Sequence, residues 1–227
     1  MQEHINMSFT PKSVRAFSFS KPEKSWILYD VANSAFVLVV VTAVMPLFFK
    51  EYASMGILPA VSTAHWGYAN ALVSTVVAVS APVLGTFADG KGLKKRFFAA
   101  FMLFGIGATF LLPTIQEGSW LYCLMIFVLA RIGFAGANVF YDAFLPDVAS
   151  RKRMDWISSN GFAWGYIGSV VPFLIIIGLL LFGNHETGSS GLPPRQAKIG
   201  FIIVGCWWLL FSFPMLRTMG LTGWKKQ

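Results

Sequence analysis

Six apolar stretches, at residues 26–49, 64–87, 97–116, 119–144, 157–182 and 197–216, constrain this chain more than anything else in it. An α-helix rises about 1.5 Å per residue, so roughly twenty residues cross the ~30 Å hydrocarbon core of a bilayer. A helix satisfies every backbone N–H and C=O within its own segment, and six such runs therefore predict an all-α membrane protein with six transmembrane helices. Composition points the same way. Hydrophobic residues make up 56% of the chain and charged ones 12%, with a mean hydropathy of +0.62, whereas soluble domains are about 25% charged. The chain divides into a polar tail (1–25), the bundle (26–216) and a basic tail (217–227). The first tail has no apolar core of the kind a cleavable signal needs, so the first span is expected to direct its own insertion.

The cations decide the expected orientation. Lys12, Arg15, Lys21 and Lys24 precede span one; Lys91, Lys94, Lys95 and Arg96 lie between spans two and three. Arg151, Lys152 and Arg153 lie between spans four and five, and Arg217, Lys225 and Lys226 follow span six. The opposite side carries only Lys50, Arg195 and Lys198. Positive loops stay inside, which predicts cytoplasmic N and C termini. The same distribution accounts for the net charge of +8 without nucleic acid. Cys123 and Cys206 fall in apolar runs, and His4, His65 and His185 have no second ligand at metal spacing. No metal site, no cofactor and no nucleophile–base pair of an enzyme is expected.

Polar groups inside the spans are the candidates for function, because each is costly in lipid. Asp30, Asn33 and Ser34 stand at i, i+3 and i+4 and share one face of span one. Either they border a wet cavity or Asp30 is an interfacial acid. In span four, Arg131, Asn138 and Asp142 are 7 and 11 residues apart, which at about 100° per residue puts them within roughly 20° of one line. Arg131, near mid-membrane, needs water, helix carbonyls or an anionic ligand. It serves either to attract a carboxylate-bearing substrate or to bond neighbouring helices. A direct Arg131–Asp30 bridge is not expected, since Asp30 and Asp142 lie nearer the cytoplasmic end.

Span two carries Asn70, Ser74, Ala81 and Gly85 on one small-residue face, read as a packing surface. Span five carries Gly161, Gly165, Gly168 and Pro172 on another, with the same reading, while Asn160 and Trp164 are cavity candidates at its start. Spans three and six hold nothing ionisable, and span three reads as peripheral. Between spans two and three, Gly85-Thr86-Phe87-Ala88-Asp89-Gly90-Lys91-Gly92-Leu93-Lys94-Lys95-Arg96 reads as a tight polar turn.

That turn resembles the loop between helices 2 and 3 of major facilitator superfamily transporters, with Gly90 where the family usually has a cation. Together with W-x-x-Y-D-x-A-N-S-A-F at 26–36, F-Y-D-A-F-L-P-D at 140–147 and S-S-N-G-F-A-W-G-Y-I-G at 158–168, it resembles the branch of autophagy-related vacuolar amino-acid effluxers and their bacterial relatives. Tyr141-Asp142 stands where relatives often have Tyr-Asn. The resemblance implies half of a major facilitator fold, two inverted three-helix repeats, with helices 1, 2, 4 and 5 near the pathway and 3 and 6 outside it.

It also implies secondary active efflux of amino acids or small metabolites by alternating access. The partners would be the lipid bilayer, a small-molecule substrate and a second bundle, either another copy or a separate C-terminal half; a regulatory or truncated half that does not transport is the competing reading. The membrane would be the cell (inner) membrane in a bacterium and the vacuolar membrane in a eukaryote. Asp30, Asn33, Ser34, Arg131, Asn138, Asp142, Asn160 and Trp164 would serve substrate or coupling, with Asp30 the candidate for proton exchange. Gly85, Asp89, Gly92, Lys94, Lys95 and Arg96 would brace the gate.

Overall fold

The computed structural model describes residues 18–88, 93–182 and 192–221, and among these there is no strand. Six long helices follow one another: α1 (Lys21–Ala53), α2 (Pro59–Ala88), α3 (Leu93–Leu111), α4 (Trp120–Ala143), α5 (Met154–Phe182) and α6 (Pro194–Leu221). All six are long and apolar enough to cross a membrane, and the protein is a multi-pass membrane protein. Asp89, Gly90, Lys91 and Gly92 lie outside the described residues, whereas Gly85 belongs to α2 and not to the turn after it.

The first helix begins five residues before its apolar run, and local chemistry explains why. Ser20 caps it by accepting the Glu23 N–H at 3.4 Å, while the Glu23 carboxylate accepts the Ser20 N–H at 2.8 Å. Each bond satisfies a donor that the first turn leaves orphaned. Pro22 fits there because it has no N–H to lose. Glu23 also receives the Arg153 Nε–H at 3.0 Å, tying the start of α1 to the start of α5. Ser20→Ala is expected to cost about 1 kcal/mol, read as a lower midpoint in SDS unfolding.

Farther along, α1 widens into i→i+5 turns over Phe36–Val44 and Phe49–Ala53. These flank Pro46, whose ring removes a backbone donor. Within the first of them the Thr42 hydroxyl donates to the Val37 carbonyl, five residues back, at 2.9 Å.

The packing has a two-fold logic. α1 packs chiefly on α5 and α6, α4 packs chiefly on α2 and α3, and α3 meets α6 across the middle. Exchanging the first three helices for the last three reproduces the pattern, as inverted repeats require. The Trp207 indole N–H donates to the Val31 carbonyl at 3.1 Å, and Ser25 pairs with Thr218 at 2.8 Å, fixing α6 to α1.

Burial corrects one expectation. Half or more of the most apolar stretch of α1 and of α4 is buried and 39% of that of α3 and α6, but only 6% of that of α2 and 22% of that of α5. Thus α3 and α6, through Phe98, Met102, Phe201 and Trp208, belong to the core, and α2 is the most exposed helix. Lack of ionisable groups says that a helix avoids a pathway; it does not say that the helix faces lipid.

Glycines set the closest approaches. At Gly165 a Cβ would meet the Ser34 hydroxyl at 2.8 Å, and at Gly168 it would meet Val31 at 2.5 Å, so the glycine face of α5 packs on α1 as its spacing predicts. The small face of α2 does not behave this way: Ser74 is exposed and a Cβ at Gly85 would meet nothing within 4 Å.

Candidate functional site

A cavity of about 690 Å³ opens between α1, α4 and α5, a size suited to a small organic molecule. From α1 it is lined by Trp26, Asp30, Asn33, Ser34, Val37, Leu38 and Thr42. The first five positions follow the 3.6-residue period, and the wide turns then carry the lining face from Val37 to Thr42. From α4 come Asn138, Tyr141 and Asp142, and from α5 Ser158, Phe162, Tyr166 and Ser169. The lining that neither α3 nor α6 enters fits the resemblance; α2, expected near the pathway, contributes nothing to it either.

The α1 and α4 walls are fastened to each other. The Asn33 amide donates to the Asn138 side-chain oxygen at 3.0 Å. Nearer the termini, two turns along α1 and one along α4, the Trp26 indole N–H donates to the Tyr141 carbonyl at 3.1 Å, and the two rings stack at 4.4 Å and 15°. Tyr29, fully buried, packs on Tyr141 at 4.9 Å. The two Tyr-Asp pairs, on different helices and in different repeats, thus meet at one depth.

Five of the residues singled out in the sequence come together here: Asp30, Asn33, Ser34, Asn138 and Asp142. Asp30 lies against the bare backbone of α5, 3.2 Å from where a Gly161 Cβ would stand. Neither carboxylate has a hydrogen-bonding or ion-pair partner among the described residues.

Three others lie outside the lining. Arg131 is on the angular line expected of it but seven residues, or about 10 Å, beyond Asn138. It is half-buried, its guanidinium stands 5.8 Å from the Phe127 ring, and among the described residues it makes no hydrogen bond and no pair with Asp30. Asn160 and Trp164 flank Phe162 by two residues, about 200° round α5 from the lining face. The Asn160 amide bonds back to the Trp156 carbonyl at 2.7 Å, and Trp164 is exposed.

At the end of the bundle near the termini, Lys94 donates to Asp147 at 2.7 Å and to the Ala143 carbonyl at 2.8 Å. It therefore fastens the start of α3 to the end of α4. Arg96 is exposed and Lys95 half-buried; Asp89 and Gly92 are outside the described residues. The aromatic members of the lining, Trp26, Tyr141, Phe162 and Tyr166, were not among the sequence candidates. A signal existed, since Trp26 lies four residues from Asp30 and Tyr141 next to Asp142.

Comparison with known proteins follows the geometry. The profile of the vacuole effluxer Atg22-like family matches residues 57–155 and 149–222. An uncharacterized MFS-type transporter, YxiO, of Bacillus subtilis (strain 168) is 46% identical over 200 residues, covering 88% of this chain and 46% of that protein. An uncharacterized protein of Aquifex aeolicus (strain VF5) is 26% identical over 209 residues, covering 92% of this chain and 46% of that protein. The chain spans about half the length of the curated relatives it matches. No solved structure matches it.

Proposed function

We propose, for a chain that belongs to the vacuole effluxer Atg22-like family, that the bundle is one half of a secondary transporter of the major facilitator type. A relative bearing that transporter name supports the class. The observation that carries the reading is the cavity between α1, α4 and α5, with two acids and two amides lining it between helices long and apolar enough to cross a membrane. Groups that lipid penalises are retained where a solute or water can reach them. Amino acids and related small metabolites are the first solutes to try.

In this reading Asp30 exchanges the coupling proton, Asn33 and Asn138 hold the two repeats in register, and Arg131 draws anionic groups toward the bundle. Asn160 and Trp164, off the lining, would act on a second bundle. The termini lie in the cytoplasm by the charge rule, and the Lys94–Asp147 and Arg153–Glu23 pairs brace the cytoplasmic gate. Alternating access needs two bundles, so the thinly covered α2 and α5 would meet another copy or a separate C-terminal half.

The test is counterflow of labelled amino acids into liposomes containing the purified chain. Accumulation above protein-free vesicles is expected; none at any protein density contradicts transport by this chain. A half that does not transport alone is the second reading, favoured by the 46% coverage of its relatives.

A further inference from the structure

The cavity between α1, α4 and α5 is electrostatically one-sided. Asp30 and Asp142 line it, and among the described residues no Lys, Arg or His does. Glu23 and Asp147 in the same bundle each meet a cation, at 3.0 and 2.7 Å; these two acids meet none among the described residues. A second observation is independent of the acids. Tyr141 also lines the cavity, is only 4% exposed, and its hydroxyl has no hydrogen-bond partner among the described residues. A buried hydroxyl left unpaired is costly, and this one belongs to a ring of the cavity wall. The walls beside it are aromatic: Trp26 is stacked on Tyr141, and Phe162 and Tyr166 come from α5.

These features select among ligands. An anion would add a like charge to two uncompensated carboxylates. A bare divalent ion seeks six or more oxygens, gains nothing specific from ring faces, and is far smaller than about 690 Å³; among the described residues no three metal-ligating side chains cluster. An organic ammonium answers every feature. Its N–H donors suit carboxylates and a hydroxyl oxygen, its charge suits ring faces, and its carbon body suits the apolar lining.

We propose that this cavity binds the protonated amino group of a small organic amine, with Asp30 and Asp142 supplying the charge and the Tyr141 hydroxyl a further acceptor. Binding stands on the site alone; that the bound amine is also carried rests on the transport reading above. One α-amino acid cannot reach both Asp142 and Arg131, which are eleven residues, or about 16 Å, apart along α4. A free carboxylate on the ligand is therefore not required.

The experiment uses the full chain in lipid nanodiscs, with empty nanodiscs subtracted, and titrates three probes of one shape at neutral pH: phenethylamine, 2-phenylethanol and phenylacetate. Phenethylamine is expected to bind at least ten-fold more tightly than the other two. Asp30→Asn with Asp142→Asn is expected to bring it to the level of the alcohol. Tyr141→Phe, which keeps the stacked ring, is expected to weaken it about three-fold. Should the double variant fail to fold, the probe ranking and Tyr141→Phe decide.

Equal binding of the three probes, tighter phenylacetate binding, no phenethylamine binding at millimolar concentration, or an unchanged affinity in the folded double variant would each overturn the proposal. Amine binding without counterflow keeps this site and removes transport; counterflow of anionic solutes without amine preference keeps transport and removes this site.

Discussion

Gly133→Ala is expected to force α3 and α4 apart. A Cβ at Gly133 would stand 2.5 Å from the Cα and N of Gly105 and 3.0 Å from the carbonyl oxygen of Phe101. These are backbone atoms of the facing helix, so no side-chain rotation relieves the overlap and the whole helix must retreat. Retreat also loosens Gly105 from the Trp208 ring, which a Cβ there would meet at 2.9 Å. Overpacking of a well-filled core costs about 1–3 kcal/mol, and the upper end is expected because the contact is backbone on backbone. Gly85→Ala is the control, for its Cβ meets nothing within 4 Å and alanine is the better helix former. Unfolding in SDS should show a lower midpoint for the first variant and an equal or higher one for the second.

The second large effect is expected at Trp26, which is 3% exposed. It joins α1 to α4 through the stack on Tyr141 and the bond to the Tyr141 carbonyl, and it fills the space over Gly161. Trp26→Ala removes all three. Truncating a buried Trp costs about 3–5 kcal/mol in soluble proteins. The lower end applies here, because helices already dissolved in lipid lose packing and gain a void but forfeit no transfer from water. Trp26→Phe keeps a ring on Tyr141 and removes one hydrogen bond, about 1 kcal/mol, while the Tyr141 carbonyl still accepts the Phe144 N–H at 3.1 Å. A midpoint order of parent, Phe, Ala supports this account of the joint; equal midpoints for parent and Ala would refute it.

Much of this architecture is legible in the residues, and the failures have physical causes. Run length alone identified the six helices, because a continuous apolar run of about twenty residues satisfies its backbone in lipid only as a helix, barrel strands being shorter and alternating. Helix ends were less legible: α1 starts at Lys21 because of the Ser20–Glu23 capping box, a four-residue signal that hydropathy ignores. Spacing placed Asp30, Asn33 and Ser34 on one face correctly, since a regular helix keeps its phase over a turn. Beyond Phe36 the helix widens, yet Thr42 lines the cavity with Ser34 and Leu38 at i+8 and i+4, a spacing that counting from Ser34 could have followed.

Depth separates Arg131 from the cavity: it shares a line with Asn138 but lies two turns away along α4, and, as the spacing predicts, it does not pair with Asp30 among the described residues. Asn160 and Trp164 were grouped by polarity near the start of α5, yet the lining face there is Ser158, Phe162 and Tyr166. The small-residue face of α2 and the glycine face of α5 both read as packing surfaces in the sequence. Only α5 has its partner, α1, within this chain, and spacing cannot say which surface has a neighbour.

The central claim is that water and solute reach the α1–α4–α5 cavity beside Asp30. Cysteine accessibility tests it most directly. In a background with Cys123 and Cys206 replaced by serine, single cysteines at Ser34, which lines the cavity, and at Ala32, which is fully buried, are exposed to a charged, membrane-impermeant thiol reagent. The account predicts fast modification at Ser34→Cys and none at Ala32→Cys on the same timescale. Equal and negligible modification at both would mean a dry joint between helices, and the transport and amine-binding proposals would lose their site.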